Sequence, residues 1–276
     1  MIEVRDDAGR AVVLARAARR IVSLVPSLTE TLFALGCGER LVGVTRYCSE
    51  PADQVEGIER VGGTKNAAIE RIVALAPDLV VLNEEENRRV DFEALEGRGL
   101  CIFVSFTHRA SEVPGLLRRL GLLTGRAGTA EGLAAATERA LADLARPAAA
   151  PRPRVFCPIW KNPWMSFNRD TYNDDMLWRA GGENVCRDLP VRYPTVTLAQ
   201  IAAREPEIIL LPDEPYVFQA KDLAALQALR DTPALRTGRV QFLDGKVLSW
   251  YGPRTATALR QLRGVIGGLG TAAPAG

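Results

Sequence analysis

The sequence predicts an α/β protein built as two Rossmann-like lobes, each on a parallel sheet, joined by a single long backbone helix. Three observations predict it. Thr129–Arg146, TAEGLAAATERALADLAR, reads as one uninterrupted helix dominated by Ala and Leu, strong helix formers. Thr129 is the expected N-cap, Glu131 falls in the positive first turn, and Arg139 and Arg146 lie toward the negative end. At ~1.5 Å per residue such a helix is roughly 27 Å long, and Pro147 with the proline-rich run after it stops the helix. Next, the chain before this helix resembles the chain after it. Ile69–Glu85, IERIVALAPDLVVLNEE, aligns without gaps on Leu198–Glu214, LAQIAAREPEIILLPDE. Pro77 falls on Pro206, Asp78 on Glu207, Leu79–Leu82 on Ile208–Leu211, and Glu85 on Glu214. Each copy is a short helix ended by Pro, a four-residue apolar run and an acidic loop. Apolar runs without polar alternation fit strands covered on both faces of a parallel sheet. A weaker echo pairs Leu32–Val44 with Met176–Cys186, each a helix ending at Gly and entering a strand. The expected partition is residues 1–127 for the first lobe, 128–147 for the linking helix and 148–276 for the second. A single doubly wound domain with a coincidental repeat is the competing reading.

Taken in order, Glu3–Arg19 is expected to form a hairpin turning at Ala8-Gly9. Arg20–Val25 is the first core strand, broken by Pro26-Ser27, with Ser27 or Thr29 capping a helix to Leu35. Leu41–Thr45 is the next strand, and Val61–Asn66 is a loop. Leu100–Phe106 reads as a strand and Ser111–Leu123 as a helix. Beyond the linker, strands are expected at Arg154–Ile159, Pro206–Leu211 and Val240–Leu243. Helices are expected at Asp174–Ala180, Asp222–Leu229 and Thr255–Ile266, with a frayed Gly/Ala tail.

Composition narrows the function. An apolar content of 47% over 276 residues supplies ample core, and a net charge of +2 gives no electrostatic footprint for nucleic acid. No stretch reaches the ~20 apolar residues of a membrane helix, and the first 20 residues lack the apolar core of a signal peptide. Five cysteines without paired spacing suit a reducing compartment. The expectation is therefore a cytoplasmic protein as the chain stands, or a periplasmic one if a signal was removed. One histidine, His108, without a CxxC motif or a His pair disfavours zinc, and neither a Walker loop nor a GxSxG elbow is present.

In open α/β sheets, ligands sit beyond the carboxyl ends of the strands. The segments there hold Tyr47, Thr64, Lys65, Asn83, Glu84 and Phe106 in the first lobe. In the second they hold Trp160, Trp164, Arg192, Tyr193, Glu214, Tyr216, Trp250, Tyr251 and Arg254. Large flat side chains at loop tips suit a site that grips a bulky, partly apolar ligand, with Lys65, Arg192 and Arg254 for its acidic edges. An interface patch or a small satellite core explains the same aromatics. Glu84-Glu85-Glu86 reads as a solvated acidic loop, since successive side chains do not all converge on one point.

The stretches RIVSLVPSLTETLFALGCGERLVGVTRYCSEP and VGGTKNAAIERIVALAPDLVVLNEEEN, with RVFCPIWKNPWMSF, YPTVTLAQIAAREPEIILLPDEP and SWYGPRT, resemble the vitamin B12 (cobalamin)-binding proteins. More broadly they resemble the helical-backbone (class III) substrate-binding proteins of ABC importers. The resemblance runs from about residue 20 to 265. It implies two Rossmann-like lobes, a spanning helix with little hinge motion, and a corrinoid or similar metal chelate held between the lobes as ligand, with no cofactor required. By position, Tyr47, Tyr193 and Trp250 match cleft residues of the cobalamin binders, whereas Thr64 and Asn83 stand near places where those proteins carry Trp. Importer-type members also carry one exposed Glu per lobe that pairs with Arg on the permease. Here those positions are Glu70 and Ala199, so one of the two docking pairs is missing. The resulting expectation is a non-catalytic binding protein for ABC-type uptake or intracellular handling, without nucleic acid or membrane span. The rivals are a cytoplasmic ligand-responsive regulator and an enzyme on a small polar substrate using Glu84, Glu85 or Glu214.

Overall fold

The computed structural model describes residues 1–144 and 151–268. The chain divides into two compact units: Met1–Thr107 with Ser111–Glu138 and Tyr251–Pro253, and His108–Ala110 with Arg139–Trp250 and the chain from Arg254 on. The helix Ala127–Leu144 contains the Glu138/Arg139 boundary.

In the first unit, β1 (Ile2–Arg5) and β2 (Ala11–Leu14) form the expected antiparallel hairpin, with Gly9 at φ 78° in its turn. The main sheet contains β3 (Ile21–Ser23) and β4 (Leu41–Val44). A small hairpin of β5 (Gly62–Gly63) and β6 (Asn66–Ala67) precedes β7 (Leu79–Asn83) and β8 (Ile102–Ser105). The four long strands are parallel in the order β4-β3-β7-β8. The apolar runs of β7 and β8 are buried at every position, and Val22, Val80, Leu82 and Val104 pack with Ile72 and Leu95.

The second unit repeats this plan with β9 (Arg154–Phe156), β10 (Glu183–Asn184), β11 (Ile208–Pro212) and β12 (Val240–Leu243), all parallel in the order β10-β9-β11-β12. Read in chain order, both sheets run second-first-third-fourth. The copy extends to atoms. Ala76 and Glu205, each just before the aligned proline, share a left-handed backbone at φ 44° and 45°. This conformation costs a non-glycine residue roughly 1–2 kcal/mol. The acid after the proline then latches the first strand of its sheet. Asp78 accepts from the N–H groups of Arg19 and Arg20 (2.8 and 3.0 Å), and Glu207 accepts from that of Arg154 (2.9 Å). Arg20 and Arg154 return the favour by donating to carbonyls of the strained turn, Arg20 to Leu75 and Ala76 and Arg154 to Glu205.

Several expectations are corrected. The helix after β3 begins at Pro26 with Val25 at its N-cap, and no side chain caps it. Proline at the first position needs no donor satisfied there. Thr29 turns back to Ser23 Oγ and the Val25 carbonyl instead. The linking helix starts at Ala127, so Thr129 lies inside it, and Glu131 joins Glu138 in holding Arg118 at 2.7 Å. Its expected end at Ala145-Arg146, the stop at Pro147, and the Gly/Ala tail lie outside the described residues. The Val61–Asn66 loop is the β5–β6 hairpin. Asp222–Leu229 belongs to a 3-10 helix, Ala220–Leu229, and a short helix at Lys246–Ser249 was not foreseen. Among the described residues no helix is long and apolar enough to cross a membrane.

Candidate functional site

The carboxyl ends of the two sheets carry different chemistry. In the first unit the face is a polar scaffold. Asn83 ends β7 fully enclosed, and its Oδ1 accepts from the N–H groups of Glu85 and Glu86 (2.8 and 3.0 Å). Its Nδ2 donates to the Ser105 carbonyl (3.0 Å) and to Tyr251 Oη (2.9 Å), which also lies 3.0 Å from Ser105 Oγ. Asn87 closes the turn by accepting from the Asn83 N–H and donating to the carbonyls of Leu24 and Thr64. The Glu84–Glu86 loop is thus an amide-clamped turn with Glu84 exposed. Phe106 is half-buried, and its N–H is held by Asp7.

Thr64 and Lys65 form the two-residue tip of the β5–β6 hairpin, and Lys65 Nζ donates to the Glu85 carbonyl. Tyr47 is 54% exposed beside it. Gly63 makes this arrangement possible. A Cβ there would lie 2.5 Å from Asn66 Oδ1, 3.0 Å from Arg46 Nη2 and 3.1 Å from Tyr47 Cε2.

In the second unit the face is aromatic. Trp160, 42% exposed, meets Tyr216 edge-on at 5.8 Å, Tyr216 lies 4.7 Å from Phe218, and Trp164 stacks on Phe218 at 5.9 Å and 11°. The loop after β9 thereby joins the loop after β11. Lys161 Nζ pins the group by donating to Asp222 Oδ1 at 2.7 Å, which also accepts from Tyr216 Oη. The Lys161 ammonium holds the Asp222 carboxyl below the usual carboxylate range. Glu214 is packed against Gly245, where a Cβ would come within 2.9 Å of the Glu214 backbone. It accepts from Ser249 Oγ at 3.1 Å, and burial pushes its carboxyl above the ordinary range. Arg192 donates to His108 Nδ1 at 3.0 Å and to the Asp170 carbonyl. A guanidinium has no acceptor, so His108 is the acceptor in that bond. Tyr193 is half-buried nearby in sequence.

Trp250 and Tyr251 depart from the picture of exposed loop tips: they are 6% and 5% exposed. The short helix Lys246–Ser249 turns the Trp250 ring inward, where Lys246 and Arg254 flank it at 5.5 and 5.0 Å. Tyr251 goes inside because Asn83 and Ser105 satisfy its hydroxyl, a requirement for burying a phenol. Phe218 and Asp222 lie outside the site residues the sequence singles out, whereas Arg46 stands directly after the Leu41–Thr45 strand, where ligand-facing residues are expected. Phe218 is findable two residues beyond Tyr216, whereas Asp222 reads only as the start of a helix. Among the described residues no three His, Cys, Asp or Glu side chains converge as a metal cluster.

Paired α/β units with one shared parallel order, each presenting a face of loop side chains beyond its strand ends, define a bilobal ligand-binding protein. The chain belongs to the periplasmic binding protein family, whose profile matches residues 21–247. Among its relatives, a vitamin B12-binding protein of Vibrio cholerae serotype O1 is 28% identical over 246 residues, 89% of this chain and 88% of that one. A vitamin B12-binding protein of Yersinia pestis is 29% identical over 198 residues, 71% and 70% of the two chains. The crystal structure of the periplasmic vitamin B12 binding protein BtuF of Vibrio cholerae superposes with a TM-score of 0.79 at 26% identity, covering 91% of this chain and 98% of that one. The periplasmic heme-binding protein RhuT from Roseiflexus does so with 0.80 at 28% identity and the same coverage.

Proposed function

We propose that this protein is a non-catalytic substrate-binding protein that holds cobalamin or a related corrinoid or metal chelate, for ABC-type uptake. The observation that carries this reading is the aromatic group of Trp160, Trp164, Tyr216 and Phe218 at the carboxyl ends of β9 and β11. An indole left 42% exposed and braced edge-on by Tyr216 is a ready surface for a broad, flat ligand. Vitamin B12-binding and heme-binding relatives support the same ligand size and shape. On this reading Glu70, exposed and ion-paired with Arg98, is the permease-docking carboxylate of the first unit, and Ala199 leaves the second without one.

Calorimetric titration with cobalamin, cobinamide and hemin tests the proposal. Saturable binding of at least one is expected, and Trp160→Ala should weaken it by about 1–3 kcal/mol. Absence of binding to all three, or full affinity in that variant, refutes it. A second reading, intracellular handling of the same ligand, is favoured by the five free cysteines, four of them buried. Cell fractionation separates the two, since uptake needs the protein outside the inner membrane.

A further inference from the structure

We infer that Arg46, with Lys65, recognises an anionic group, a phosphate or a carboxylate, on the edge of the ligand at the strand-end face of the first unit. This rests on the binding role proposed above and adds a charge requirement to it.

The argument starts from how Arg46 is held. Its N–H donates to the Gly62 carbonyl at 2.8 Å, which ties the residue to the β5–β6 hairpin. Its guanidinium carbon stands 5.2 Å from the centroid of the exposed Tyr47 ring, and Nη2 donates to Asn66 Oδ1 at 3.1 Å. Guanidinium, phenol edge and amide all converge over Gly63, the one residue type that leaves them room. Nothing in this cluster neutralises the cation. Asn66 is a neutral amide and takes one of the five N–H donors that a guanidinium carries. Lys65, at the tip of the same hairpin, is likewise bound to a neutral oxygen, the Glu85 carbonyl.

Elsewhere in this unit arginines are taken up in two ways: Arg20, Arg40 and Arg60 each spend two or more donors on backbone carbonyls, and others pair with acids. Arg10, Arg71, Arg88, Arg89, Arg98 and Arg118 each meet a carboxylate. Among the described residues Arg46 and Lys65 form no ion pair. A guanidinium braced by a phenol and one amide keeps a planar fork of donors, the geometry that takes phosphate or carboxylate in two parallel bonds. Tyr47, 54% exposed, offers a flat apolar surface beside that fork. The combination fits a flat chelate whose rim carries a negative charge.

Three probes separate the possible sources of that charge. Cobinamide lacks a phosphate, cobinamide phosphate carries one, and hemin carries two carboxylates. In calorimetry the intact protein should bind at least one charged probe about tenfold more tightly than cobinamide. Arg46→Gln should remove that advantage and leave cobinamide affinity within about twofold, while Arg46→Lys should retain part of it. Raising the ionic strength to about 0.5 M should narrow the gap in the parent and leave the Arg46→Gln variant unchanged. Loss confined to cobinamide phosphate assigns a phosphate, and loss confined to hemin assigns carboxylates. Equal losses for charged and uncharged probes, or no preference in the parent, overturn the inference while leaving the binding role standing. Failure of the parent to bind any of the three overturns the binding role, and the inference with it. Gly63→Ala is the second variant. Its methyl group displaces Asn66 and Arg46, so it should lose the charged-ligand preference while its melting temperature reports whether the hairpin still folds.

Discussion

The two units share a frame and differ in what they mount on it. Each has four parallel strands in one order, a left-handed residue before a proline, and an acid that latches the first strand. At the loop after the third strand the copies part. The first unit places Asn83 there and builds a turn from neutral amides, while the second places Asp213-Glu214 and supports rings and buried charges. The duplicated part ties the third strand of each sheet to the first. The divergent part lies at and just beyond the strand ends, where ligand chemistry is free to vary between copies that share one frame.

This comparison is testable from its strongest point downward. Asn83→Ala should be the most damaging change on either face. It removes the partner of Tyr251 Oη and of two backbone N–H groups, at a cost of about 3 kcal/mol in urea unfolding. A cost below that of Trp160→Ala, an exposed ring whose loss should cost under about 1 kcal/mol, would break the contrast between a polar scaffold and an aromatic surface.

Asp222→Asn should come next, at about 2 kcal/mol, because it strips Lys161 of its carboxylate. The folded carboxyl titrates below its unfolded value. Its stabilisation is therefore complete above the ordinary carboxylate range and is lost as pH falls through the folded value. Unfolding of parent and variant should differ at pH 7 and draw together as the solution is acidified below the ordinary carboxylate range.

The latches give a smaller and more exacting comparison. Asp78→Ala should cost about 1–2 kcal/mol and Glu207→Ala about half as much, since Asp78 satisfies two backbone donors and Glu207 one. Reversal of that order in denaturant midpoints would mean that the two copies are not doing the same job.

The smallest effect should come from Glu214→Gln, with the opposite sign to Asp222→Asn. Burial raises the Glu214 carboxyl, so its contribution is favourable below the unfolded value and is lost as pH rises through the folded one. The amide should therefore match or exceed the parent at pH 7 by under about 1 kcal/mol, and lose that advantage near pH 4. An advantage that grew on acidification would contradict the burial of this carboxyl.

Much of this was legible in the chain. The alignment of Pro77 with Pro206 and of Asp78 with Glu207 announced the duplication, although the backbone donors those acids accept from, at Arg19, Arg20 and Arg154, lie more than 50 positions away. The strands β7 and β11 declared themselves by unbroken apolar runs, and the gathering of Trp160, Trp164 and Tyr216 follows from their places just past strand ends. The helix starts were read less well. Ser27, Thr29 and Thr129 are all capping types, yet proline after Val25 and an early start at Ala127 overrode them. Trp250 and Tyr251 were misread as exposed because an aromatic next to Gly-Pro looks like a loop tip until its partners are known.

The sequence by itself determined the α/β class, the two copies and the strands. These rest on apolar periodicity and on proline and glycine at turns, which a short window of residues contains. The tertiary structure alone decided which side chains became surface and which became support. It paired Asn83 with Tyr251, 168 positions apart, and Lys161 with Asp222, 61 apart. It also brought Arg46 and Asn66 together over a glycine. Such bonds depend on where the folded chain returns, and no local pattern encodes that.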